Sequence, residues 1–101
     1  MNDRTHDDVM SEVFSNDPAY MLELLNSVLE DGDTGELLIA LRQMSKAFGG
    51  VRSVAKQAGL NPNQLYRSLS AEGNPELKSL AAVLRSMGLR PAVQPISAQP
   101  A

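Results

Sequence analysis

The chain has no cysteine among its 101 residues, so neither a disulfide framework nor thiol chemistry is available to it. Histidine is nearly absent too: the single one, His6, lies in a polar run beside Asp7 and Asp8. That setting fits a solvated residue better than a metal ligand, and no metal or cofactor is expected. No apolar run approaches the ~18 residues of a membrane span. The opening MNDRTHDDV lacks the basic start and apolar stretch of a signal peptide. Together these absences point to a cytoplasmic protein with no membrane partner. No histidine–carboxylate pair, nucleophile constellation or phosphate loop can be assembled. Gly49-Gly50 is only a pair of glycines, so an enzyme is not expected. A chain of this length buries one modest core, which favours a homodimer.

Charge is present but unevenly spread. Residues 1–36 hold ten of the twelve carboxylates and one basic residue, Arg4, whereas residues 37–71 contain no Asp or Glu at all. That second window carries Arg42, Lys46, Arg52, Lys56 and Arg67. An acidic first third beside a basic middle suits two surfaces serving two partners; solvated helix faces would give the same counts.

The punctuation predicts five helices. Asp17-Pro18 supplies a cap and a first-turn proline, Met21, Leu22, Leu25, Val28 and Leu29 follow at helical spacing, and Gly32 stops the run. Asp33 with Glu36 reads as a capping box for a second helix, lined by Leu37, Leu41, Met44 and Phe48 and ended by Gly49-Gly50. A short third helix spans about residues 51–58. Asn61-Pro62 and Asn74-Pro75 each announce another start, and Gly88 closes the last segment. Residues 1–16 read as a flexible lead-in, in which Val9, Val13 and Phe14 could dock. Residues 91–101 read as an extended tail, with Leu89 to Val93 as a candidate short strand.

The stretch VRSVAKQAGLNPNQLYRSL, residues 51–69, carries a specific geometry. A small Ala55 lets a second helix approach, Gly59 permits a sharp turn, and Leu65 six residues later anchors the second helix. The pattern is that of a helix-turn-helix, with Ser68 at a place often apolar in such motifs. If Leu65 and Leu69 face inward, Asn63 and Arg67 lie about 200° around the helix from Leu65. The exposed edge then offers amides, a phenol, hydroxyls and a guanidinium, with no carboxylate to repel phosphate. Asn or Gln can pair with adenine and Arg with guanine in a major groove, while the preceding helix meets the backbone. A helical hairpin whose polar edge simply meets water is the alternative. The phosphate contacts available to one copy are few, Arg52, Lys56 and Arg67 with Arg42 or Lys46 nearby, which again favours two copies on two half-sites.

The pieces LEDGD (residues 29–33), AGLNPNQLYRSLS (residues 58–70) and EGNPELKSLAAVLRSMGLR (residues 72–90) resemble the HigA-like addiction module antidote family, whose members carry an Xre-type helix-turn-helix. The resemblance covers about residues 19–90. The fold it implies is all-α: a five-helix, Xre/lambda-repressor-like domain over residues 17–90. It also implies an antitoxin that represses its own operon by binding operator DNA and neutralises a RelE/HigB-like ribonuclease toxin. Carried over by position, it assigns Asn61, Asn63, Gln64, Tyr66 and Arg67 to the recognition helix and Arg52 and Ser53 to backbone contact, beside Lys56. RNA-cleaving toxins should be basic, so the acidic residues 17–36, with Glu23, Glu30, Asp31 and Glu36, are the expected toxin-facing surface by electrostatic matching. A stand-alone Xre-family regulator without a toxin would share the same DNA-binding residues.

Overall fold

A computed structural model describes residues 5–96. These form six helices in the order α1 (His6–Asn16), α2 (Pro18–Asp31), α3 (Thr34–Ala47), α4 (Val51–Ala58), α5 (Pro62–Ser68) and α6 (Leu77–Ser86), with no strand among the described residues. No helix there is long and apolar enough to cross a membrane. The all-α expectation holds; the count is six rather than five.

The additional helix is α1, in the segment expected to be a flexible lead-in. Its start is fixed by a capping box: the Asp8 N–H donates to Thr5 Oγ1 at 3.0 Å, and the Thr5 N–H reaches back toward Asp8 Oδ2 at 3.4 Å. Met10 and Phe14, four residues apart, turn one face of α1 onto the core, and Phe14 is buried there. α1 packs chiefly on α3. Of its four apolar residues only Met10 and Phe14 face the core, whereas Val9 and Val13, which could have docked, are exposed, so the helix is held by tertiary contacts more than by its own pattern.

The caps of α2 and α3 lie where the sequence places them. Asp17 Oδ1 accepts from the Tyr20 N–H, and Gly32 closes α2 with φ 77°. Asp33 Oδ1 accepts from the Glu36 N–H at 3.1 Å to start α3, which is one half of the expected capping box; the Glu36 side chain does not return a bond to the Asp33 N–H. α3 is the central helix, flanked by α1, α2 and α4. It therefore buries Leu38, Ala40, Gln43 and Ser45 as well as Leu41 and Met44, a wider face than the single stripe expected. Phe48, expected to end that stripe, is instead the helix C-cap and is exposed.

Three helices end with the same backbone device. Gly50 N–H bonds the Ser45 carbonyl, Leu60 N–H the Ala55 carbonyl, and Leu89 N–H the Leu84 carbonyl, each spanning five residues around a glycine of positive φ. This closure satisfies carbonyls the helix leaves unpaired and suits glycine best. α6 starts later than its Asn74-Pro75 signal: Glu76 is the N-cap and the first helical residue is Leu77. The segment before it doubles back against the end of α5 at Gly73, where a Cβ would stand only 1.8 Å from the Ser68 carbonyl oxygen. That close passage keeps the chain out of helical geometry until Glu76. After Gly88, residues 89–96 have no regular structure, and the candidate strand from Leu89 to Val93 does not form in the single chain. The described chain contains no strand it could pair with. The remainder of the expected tail, residues 97–101, and Arg4 lie outside the described residues.

Candidate nucleic-acid interface

α4 and α5 are two short helices joined by a three-residue turn, Gly59-Leu60-Asn61. Gly59 takes φ 73° and ψ 32°, a left-handed conformation that a side chain would oppose. Asn61 Oδ1 then caps α5 by accepting from the Gln64 N–H at 3.0 Å, and Pro62 fills the first turn, where its missing N–H is no loss. The crossing is held from inside. Val54 and Ala55 of α4, Leu65 of α5, Leu69 just beyond it and Val83 of α6 are all buried in one cluster. Ala55 has no accessible surface at all, so α4 leaves no room for a larger side chain there.

With Leu65 inward, the other side of α5 faces solvent. Asn63, Gln64, Tyr66 and Arg67 are exposed, with Tyr66 at 62% of its full area. Arg52 and Lys56 are exposed on α4, and Ser53 is half-buried. The expected residues of the two helices are thus largely exposed, with two qualifications. Asn61 already uses its oxygen as a cap, which leaves only its amide N–H groups for an outside partner. Ser53 is partly covered and close to the backbone of Gly49.

The two basic residues expected nearby are committed elsewhere. Arg42 Nε–H donates to Asp7 Oδ2 at 2.8 Å, and Lys46 Nζ–H donates to Asp8 Oδ1 at 2.6 Å. These partners are 35 and 38 residues away in sequence, so no local pattern could reveal them. Burial would raise the Asp7 carboxyl, but hydrogen bonds from Arg42 and Gln43, aided by the nearby positive charge, hold it below its ordinary value. Lys46 and the Thr5 hydroxyl and N–H do the same for Asp8. Arg52, Lys56 and Arg67 take part in no ion pair among the described residues and are exposed on α4 and α5.

Beside α5 lies an open cleft of about 430 Å³, lined on one side by Asn61, Gln64, Arg67 and Ser68 and on the other by Gly73, Asn74, Glu76 and Ser79. No spacing along the chain places the second wall beside the first. Asn74 was legible only as a cap, and Glu76 brings a carboxylate to the same cleft as Arg67. The acidic residues Glu23, Glu30, Asp31 and Glu36 are all exposed, on α2 and the first turn of α3, and belong to other elements of the fold.

The architecture is therefore that of a small all-helical protein whose basic, amide-bearing helix pair stands apart from an acidic helix. Over residues 7–95 the chain matches the family described as "Probable addiction module antidote protein", and it belongs to that family. It is also 30% identical over 70 residues to an uncharacterized protein of Haemophilus influenzae, an alignment covering 69% of this chain and 71% of the relative. No solved structure matches the chain. Membership of an antidote family implies a toxin partner in general terms.

Proposed function

We propose that the chain is the antitoxin of a type II toxin–antitoxin module, a non-enzymatic, cytoplasmic homodimer of the HigA-like, Xre type that represses its own operon and neutralises a RelE/HigB-like ribonuclease. The observation that carries the DNA half is the α4–α5 pair. Its exposed side presents Asn63, Gln64, Tyr66 and Arg67 with Arg52 and Lys56, while the carboxylates of residues 5–36 lie on α1, α2 and the start of α3. Amides and a guanidinium on a short exposed helix match the donor and acceptor pattern of a major groove, and the exposed cations on α4 suit phosphate. The antidote family supports the toxin half. Acidic α2, with Glu23, Glu30, Asp31 and nearby Glu36 exposed, supports a basic toxin by charge complementarity.

The test has two arms. Binding to duplex DNA from upstream of its own coding sequence should exceed binding to random duplex and weaken steeply with salt. Co-expression with a RelE/HigB-like toxin of the same module should restore growth. Specific, salt-sensitive DNA binding without any rescue would leave the stand-alone Xre-family regulator as the correct reading.

A further inference from the structure

The most exposed large apolar side chains among the described residues all lie beyond α5: Leu77 at 75%, Val93 at 98% and Ile96 at 93%. Val93 and Ile96 belong to residues 90–96, a run exposed throughout, whose sequence is Arg-Pro-Ala-Val-Gln-Pro-Ile. A segment exposed along its whole length that carries bare apolar groups suits an external partner.

The positions of the prolines restrict what that partner is. In an extended strand the N–H and C=O of one residue point to the same edge, and successive residues alternate edges. Pro91 and Pro95, four apart, therefore remove donors from one edge only. The other edge, formed by Arg90, Ala92, Gln94 and Ile96, keeps every N–H and C=O. Such a strand can pair on one side and is blocked on the other, which admits a single neighbour.

We propose that this neighbour is the same segment of a second copy, forming a two-stranded antiparallel ribbon centred on Val93. The inference rests on the homodimer reading above and names its surface. Antiparallel pairing about a two-fold axis at Val93 sets Ala92 opposite the partner's Gln94 and Arg90 opposite the partner's Ile96, as hydrogen-bonded pairs. Val93 then meets the partner's Val93, and Pro91 the partner's Pro95, at positions where no N–H is needed. Charge agrees with this pairing: Arg90 is the one charged residue in the run, and the register keeps the two arginines at opposite ends. The face carrying Pro91, Val93 and Pro95 is apolar throughout, so the ribbon would present one continuous apolar side at the two-fold axis.

The decisive experiment uses proline as an edge-specific probe. Ala92→Pro and Gln94→Pro each delete a donor from the pairing edge, whereas Val93→Pro adds a third proline to the edge already blocked. Sedimentation of the full chain should show a dimer for the parent and Val93→Pro, and a shift of at least tenfold toward monomer for the other two. Because these residues are exposed and lie beyond the last helix, circular dichroism should show the same helix content in all four proteins. A cysteine-free chain permits a second reading. Val93→Cys should form a disulfide-linked dimer under mild oxidation with diamide, since directly opposed residues at such a pair stand about 4.5 Å apart at Cα, within disulfide reach. Ala92→Cys alone should link far less. If all three proline variants remain dimeric, or all three dissociate equally, the ribbon is overturned while the dimer stands. A parent that is monomeric at tens of micromolar overturns both the ribbon and the dimer reading.

Discussion

The guanidinium of Arg42 ties the start of the chain to the end of its exposed helix: Nε–H donates to Asp7 Oδ2 at 2.8 Å, and Nη1–H reaches the Leu69 carbonyl at the C-cap of α5 at 3.4 Å. Asp7 in turn accepts from Gln43 Nε2 at 3.1 Å. One carboxylate therefore orients the side chain that supports the last turn of the proposed recognition helix.

Asp7→Asn should cost about 1 kcal/mol at neutral pH, the scale of a partly buried, charge-assisted contact. Because the folded-state pKa of Asp7 is depressed, its contribution is present above the ordinary carboxylate value near ~4 and is lost as pH falls through the lower folded value. Melting curves from pH 7 down to pH 2.5 should show parent and variant converging at the acid end. A gap that stays constant over that range would remove the ion pair as its cause.

Gly73→Ala should be far costlier than an ordinary loop substitution. The added Cβ would meet the Ser68 carbonyl oxygen at 1.8 Å, so the backbone of the α5–α6 connection must move, with a loss of roughly 1–3 kcal/mol as in an overpacked core. DNA affinity should fall with it, because Gly73 lines the cleft beside Arg67. A variant that melts and binds like the parent would show that this close passage does not exist in solution.

Arg67→Ala and Lys56→Ala should differ in kind. Loss of Arg67 should cost roughly 1–3 kcal/mol on the operator and relax preference at one base pair per half-site. Loss of Lys56 should weaken every sequence alike and flatten the salt slope by about one unit. Competition between operator and random duplex separates the two, and equal losses on both for Arg67→Ala would take it out of base reading.

The acidic helix is open to a kinetic test. Changing Glu23, Glu30, Asp31 and Glu36 together to Gln should slow association with a basic toxin at low salt and matter much less above ~0.5 M salt, where steering is screened. DNA binding should persist, since these residues lie outside the α4–α5 pair. Parental association rates at low salt in a folded quadruple variant would place toxin recognition elsewhere.

What the sequence determined by itself is local. Asp17-Pro18, Gly32, Asp33, Gly59 and Asn61-Pro62 mark helix ends because a cap needs only a side-chain oxygen three residues from an N–H, or a glycine free to take positive φ. The crossing at Ala55 and Leu65 was legible for a related reason: residue size at fixed spacing along two adjoining helices decides how closely they approach. α1 escaped notice because Met10 and Phe14 gain their helix mainly by burial against α3, and Asn74 misled because the passage at Gly73 overrides its capping signal. The tertiary structure also sorted the basic residues. Five cations in a carboxylate-free window look equivalent in sequence, yet Arg42 and Lys46 are held by Asp7 and Asp8 across 35 and 38 residues, while Arg52, Lys56 and Arg67 face outward. An ion pair between distant residues depends on which helices pack together, and that is fixed by burial of the whole core rather than by any spacing along the chain.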